Sequence, residues 1–293
     1  MEYEEKFCAF IDILGFKKLM ESGFDKAVDF YESYMSHFKA MSAANNDIQD
    51  QINHALAQKN INDLEYYIFS DSIIVISKKW DVFFWHIANI CSWMLEKGFL
   101  FRGGVGFGKI YNKCKFPDVK MVSEGLVQAA TIEAEYSIYP RIVLSKIALE
   151  EILKHVTNIY QVHQLFVQCE DNYWCLNPFF LCPDIRPIVK MLNEKIELYK
   201  DEKFVNKYEW LGEYVNYFVY WASKSLINES YFFKTDVEKN VIDQMICKTS
   251  YSSSLQFKFI YPKFYMRKNI DLRIFSQTFE ENAKYISSLK LDC

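Results

Sequence analysis

Two aspartates set inside apolar, strand-forming runs constrain this chain more than any other feature. Asp12 stands in Phe10-Ile11-Asp12-Ile13-Leu14-Gly15-Phe16, and Asp71 in Tyr67-Ile68-Phe69-Ser70-Asp71-Ser72-Ile73-Ile74-Val75. β-Branched and aromatic residues at that density mark buried strands. A carboxylate there is costly unless its charge is compensated. Two of them on neighbouring strands repel each other unless a divalent cation lies between, the arrangement that two-metal phosphoryl transfer uses. The Leu14-Gly15-Phe16 turn suits backbone amides that approach a phosphate at a helix start. The competing reading makes each aspartate a cap or turn residue; their joint occurrence weighs against it.

The rest of the composition narrows the class. With 293 residues, 51% hydrophobic and 17% aromatic, the chain can bury a large core as one domain or a domain with a substantial extension. A net charge of −4 argues against duplex nucleic acid as the main partner, because phosphate neutralisation dominates that affinity. No apolar stretch reaches the roughly 18 residues of a transmembrane helix. The acidic start Met1-Glu2-Tyr3-Glu4-Glu5-Lys6 is not a secretory signal. The cysteines are scattered without a C-x-x-C pair and read as reduced thiols of a cytoplasmic protein; Cys169 and Cys175 flank a turn.

Periodicity predicts a strand over 7–14, a helix from Gly15 to about Ala43, and a polar stretch over 44–64 that is either helix or mobile surface. A hairpin or flanked strand follows over 65–77, with Asp71 in its middle. Then come a helix over 80–97, a glycine-rich strand over 99–111, a helix over 123–134, a strand over 139–145 and a helix over 146–156. Segments 160–167 and 173–177 read as a hairpin. Beyond Pro183, residues 184–199 and 203–225 read as amphipathic helices, and 228–293 as further helix and strand. The order gives an α/β sandwich: a central, mostly antiparallel sheet flanked by helices. Residues 5–180 form a first unit and 181–293 a helical, aromatic extension. For the glycines of Arg102-Gly103-Gly104-Val105-Gly106-Phe107-Gly108, tight packing and close ligand approach are both open.

These segments resemble the catalytic domain of class III nucleotidyl cyclases. Asp12-Ile13-Leu14-Gly15-Phe16 is similar to the family's first metal motif, and Ser70-Asp71 to its second. The strand from Arg102 to Gly108 resembles the family's glycine-rich strand, and Val127-Gln128-Ala129-Ala130 falls where its catalytic helix lies. Gly125 to Glu133, then Tyr139-Pro140-Arg141-Ile142-Val143, and Lys207-Tyr208-x-Trp210-Leu211 are similar to a bacterial branch that includes the pyrimidine cyclases of Pycsar anti-phage systems.

The resemblance implies a homodimer with sites at the interface and two Mg²⁺ or Mn²⁺ ions held by Asp12, Asp71 and the Ile13 carbonyl. It implies nucleotide contacts from Ile13, Leu14, Gly15, Phe16, Tyr67, Ser70 and Gln128. Where purine cyclases carry a base-reading lysine, this chain has Tyr67; the partnering aspartate falls near Met121, and the helix Asn and Arg fall at Gln128 and Ile132. The substrate implied is a pyrimidine nucleoside triphosphate, UTP before CTP, cyclised into an anti-phage messenger. With Ile132 in place of arginine, Arg141 is the first candidate for the transition-state cation and Arg102 the second. Arg141 as a structural ion-pair partner and Tyr67 as a plain core aromatic are the competing readings. Two rival functions remain: a non-catalytic cyclase-homology module that senses nucleotide or dimerises, and a cyclic di- or oligonucleotide synthase.

Overall fold

The apolar run around Asp12 becomes the middle of a sheet. The computed structural model describes residues 3–37, 64–115, 118–155, 165–169, 171, 173–179 and 185–215. In chain order the elements are β1 (Glu4–Leu14), α1 (Phe16–Ser22), α2 (24–37), β2 (Glu65–Phe69), β3 (Ser72–Ser77), α3 (Trp80–Glu96), β4 (Leu100–Lys115), β5 (Asp118–Ser123), α4 (Glu124–Glu135), β6 (Ile142–Leu144), α5 (Lys146–His155), β7 (Phe166–Gln168), β8 (Trp174–Leu176), α6 (Arg186–Leu198) and α7 (205–215). The eight strands form one sheet in the order β2-β3-β1-β4-β6-β8-β7, with β5 paired to β4. All pairings are antiparallel except β4 with β6. The protein is therefore a mixed α/β fold, a mostly antiparallel sheet flanked by helices, as the element order predicts.

Alternation along β1 sorts its side chains. Phe7, Ala9, Ile11 and Ile13 enter the main core with Phe83, Phe84 and Ile87 of α3. Lys6, Cys8, Phe10 and Asp12 point to the other face, where Cys8, Ile74, Ile76 and Ile110 make a second apolar cluster with Phe10, Tyr67, Met121 and Leu126. Helix α4 lies over β4 and β1 on that face. The glycines of β4 let it lie close. A Cβ on Gly104 would meet the carbonyl of Ala129, and one on Gly106 the carbonyl of Gly125. Between the two readings of the glycine run, these contacts favour tight packing. Ser123 caps α4 by accepting from the Leu126 amide at 3.1 Å.

The described part of the C-terminal region joins the same core. Ile188, Val189 and Leu192 of α6, and Trp210, Leu211, Tyr214 and Val215 of α7, belong to the main apolar cluster. Trp210 stacks on Tyr139 with ring centroids 5.4 Å apart. Among the described residues no helix is long and apolar enough to cross a membrane.

Three sequence expectations change in detail. The helix expected over 15–43 breaks at Gly23, whose φ of 143° no L side chain adopts without strain; residues 38–43 and the polar stretch to 63 lie outside the described residues. Residues 65–77 form a hairpin, the first of the two expected readings, but Asp71 lies in its turn and not in a buried strand: β2 ends at Phe69 and β3 starts at Ser72, and Asp71 is exposed beside Ser70, which has a φ of 53°. Finally, the glycine-rich strand expected over 99–111 runs on to Lys115 and pairs with β5, a hairpin whose second strand falls on residues that the sequence pattern assigned to no element.

Candidate active site

Register places Asp12 of β1 opposite Arg102 of β4 and next to Ser72 of β3. Arg102 Nε donates to Asp12 Oδ2 at 3.0 Å. The same nitrogen lies 2.7 Å from Glu133 Oε1 of α4. The hairpin turn closes onto this place: the Ile13 amide donates to the Asp71 carbonyl at 2.8 Å. Burial of Glu133 raises its pKa; Arg102 opposes the rise, and the charges of Asp12 and Asp71 add to it. Three carboxylates thus share one field, with one guanidinium between two of them.

Two further groups border the cluster. Burial and then the Asp71 charge push the Tyr31 phenol up to about 12. Lys207 of α7 is held below the usual lysine range by burial first and by Arg102 second, with Asp12 opposing. The C-terminal region therefore brings a second cation into the field of Asp12 and Arg102.

The donor set suits a hard cation. The carboxylates of Asp12 and Asp71 and the Ile13 carbonyl are the oxygen ligands that Mg²⁺ and Mn²⁺ prefer. Among the described residues no three His, Cys, Asp or Glu side chains group to hold a metal alone. Mg²⁺ commonly takes one or two carboxylates and completes its shell with water and substrate phosphates, so the residues present fit such an ion. Gly15, with a φ of 85°, starts the seven-residue α1. So short a helix leaves any phosphate contact to the amides of Leu14, Gly15 and Phe16 themselves.

The other expected site residues fall in three places. Tyr67 is half-buried and hydrogen-bonded to Glu65 and Asn112. Gln128 lies against the sheet, its Nε2 donating to the Phe107 carbonyl at 3.2 Å, and Ile132 packs over Gly104. Arg141 is only 3% exposed. Its Nη2 donates to Asp171 and to the Tyr136 carbonyl, and its guanidinium lies 5.8 Å from the Tyr173 ring centre. These contacts are those of the structural ion pair weighed above; within one copy of the chain the arginine beside Asp12 is Arg102.

Sequence reading missed Glu133, Glu65, Asn112 and Lys207. For Glu133 a signal was present: it falls four residues after Ala129 on the buried stripe of α4, where a carboxylate demands a partner. Asn112 carries no such signal, since only the β4–β5 hairpin brings it to Tyr67.

No protein-family model and no curated protein matches this chain. Among solved structures, it is similar to the non-canonical dimeric guanylyl cyclase domain of the RhoGC fusion protein from the aquatic fungus Blastocladiella emersonii. That match has 14% identity and a TM-score of 0.36 over 60% of this chain and 99% of that one. It is also similar to the adenylyl cyclase CyaB from P. aeruginosa, with 11% identity and a TM-score of 0.38 over 60% and 96% of the two chains. At TM-scores this low the likeness adds nothing to the fold, which rests on strand order and register.

Proposed function

We propose that this protein is a metal-dependent nucleotidyl cyclase acting on a pyrimidine nucleoside triphosphate. The observation that carries the reading is the Asp12–Arg102–Glu133 cluster at the end of a central strand, with the Asp71 turn hydrogen-bonded to Ile13 beside it. Asp12 and Asp71 would hold Mg²⁺ or Mn²⁺, with the Ile13 carbonyl as a further ligand. Such ions lower the pKa of the ribose 3′-hydroxyl and neutralise charge on the triphosphate. With such an ion bound, Asp12 would be its ligand, and the Arg102 guanidinium, now paired with Asp12, would be free to meet phosphate oxygens as charge develops on them. Glu133 keeps Arg102 aimed at the site. The 3′-oxygen attacks the α-phosphorus, and pyrophosphate leaves. The site is completed by a second copy of the chain, and the cyclic product serves anti-phage signalling; both parts rest on the sequence resemblance.

One observation favours a second reading. Gln128 and Ile132 are packed on β4, and Arg141 is tied to Asp171. A module that binds nucleotide and metal without turnover matches that packing.

Mass spectrometry of products from ATP, GTP, CTP and UTP, each with Mn²⁺, tests the proposal. A 3′,5′-cyclic mononucleotide is expected from a pyrimidine substrate, falling on the order of a thousandfold or more in Asp12→Ala. A linked di- or oligonucleotide would show a synthase instead. Silence with all four, from a folded dimer that binds nucleotide, would leave the non-catalytic module.

A further inference from the structure

The hairpin β7–β8, at the edge of the sheet, holds a pair of thiols that the cyclase reading does not use. Val167 pairs with Cys175, and the Cys169 amide donates to the Tyr173 carbonyl at 2.9 Å. Cys169 therefore stands diagonally across from Cys175, and alternation turns both side chains to one face of the hairpin. Their sulfurs lie 3.4 Å apart, about 1.4 Å beyond bonding distance. Both cysteines are buried, at 1% and 0% exposure, while Asp171 in the turn between them is exposed.

Beside the pair lies a cation that its other contacts do not satisfy. Arg141 Nη2 donates to Asp171 and to the Tyr136 carbonyl. Its Nε and Nη1 are buried and meet no acceptor among the described residues. Unpaired guanidinium donors out of water are costly, and a thiolate is the acceptor that the neighbouring cysteines can supply. The two sulfurs differ in that field. A hydrogen bond from Cys175 and then, against the effect of burial, the Arg141 charge hold the Cys169 thiol below the usual range. Burial, and after it the Cys169 sulfur, push Cys175 up. Elsewhere burial raises the Cys91 thiol and pushes Cys8 up to about 11. Of these four buried cysteines, Cys169 has the most thiolate character, and a second thiol touches it.

We propose that Cys169 and Cys175 are a redox modification site, closed to a disulfide by a small hydroperoxide, hydrogen peroxide, with Cys169 as the attacking sulfur beside Arg141. The Cys169 sulfur attacks one peroxide oxygen. The O–O bond breaks, a sulfenic acid forms on Cys169, and the departing hydroxide leaves as water with the proton that Cys169 gave up. Cys175 then attacks the sulfenic sulfur. The S–S bond forms, the S–O bond breaks, and the second hydroxide leaves as water with the Cys175 proton. Two thiols lose two electrons in all, and one peroxide is reduced to two waters. Burial of both sulfurs selects so small an oxidant over a bulky disulfide such as oxidised glutathione. The site is independent of the cyclase reading.

The test exposes the folded full chain to hydrogen peroxide, denatures it in N-ethylmaleimide and digests it with chymotrypsin. Cleavage after Tyr173 and after Leu176 separates Cys169, Cys175 and Cys182, so mass spectrometry identifies the pairing. A Cys169–Cys175 link that dithiothreitol reopens is expected, forming about tenfold faster than Cys8 or Cys91 is oxidised. In Cys175→Ser, denaturation in dimedone is expected to find the sulfenic acid on Cys169. In Arg141→Gln the rate at Cys169 should fall about tenfold, whereas a merely structural loss would expose the sulfur and speed it. Alkylation of both thiols after treatment, a link to Cys182 instead, or equally fast oxidation of Cys8 and Cys91 overturns the proposal. Equal closure by oxidised glutathione overturns the choice of oxidant. An unchanged or faster rate in Arg141→Gln overturns the part given to Arg141. If neither variant folds, the pairing found in the native chain decides the site.

Discussion

At the scale of single residues, the chain tolerates several polar groups in apolar surroundings by different means. Asp12 and Glu133 share Arg102, so their charges are compensated before any metal arrives. His86 has another solution. It is 1% exposed on α3, and burial alone pushes its pKa down to about 4. Its folded value therefore lies below the ordinary 6.5, and the folded state favours the neutral ring. The sign follows: between pH 6.5 and about 4 the unfolded chain binds a proton that the folded chain refuses, so stability present above pH 6.5 is lost on acidification. The loss amounts to about 3 kcal/mol across that window. Urea unfolding at pH 7 and pH 4.5, with His86→Leu for comparison, checks it; the variant is expected to lose less stability between the two pH values. An equal loss in both proteins would remove His86 as the cause.

At the scale of elements, the informative contact is α4 on β4. The helix lies so close that no side chain fits at Gly104 or Gly106 without meeting helix backbone, and closeness is what lets Glu133 reach Arg102 of β4 beside Asp12 of β1. Gly106→Ala places a methyl group against the Gly125 carbonyl, which cannot rotate away as a side chain would. The expected cost is about 1–3 kcal/mol or more, read by denaturant unfolding, together with weaker metal-dependent turnover as Glu133 is displaced. Unchanged stability would show that α4 can lift freely. Much of this level was legible in the sequence. The strand around Asp12, helices 80–97 and 123–134 and the glycine-rich strand were clear because each has one unbroken period over enough residues. The break at Gly23, the exact strand ends around Asp71 and the β5 hairpin were not, because each depends on one residue's backbone conformation or on a pairing partner far along the chain.

At the scale of the molecule, the described C-terminal helices belong to the main core. Trp210 is fully buried and stacked on Tyr139 just before β6, while Phe204 covers the Lys18 ammonium of α1 at 4.1 Å from its ring centre. These contacts tie residues 204–215 to elements on both sides of the candidate site and bring Lys207 near it. Trp210→Ala is expected to cost about 3–5 kcal/mol and to shift a single unfolding transition for the whole described core. Two transitions, with only one of them moved, would show that the helices unfold as a separate unit.

What the sequence by itself determined is the sheet-and-helix alternation and the two aspartates, because hydrophobic period and an out-of-place charge are local properties. Tertiary structure decided which cation meets Asp12. Arg141 came before Arg102 as a candidate along the chain; within one copy, β1–β4 register and α4 packing bring Arg102 to Asp12, while Arg141 pairs with Asp171.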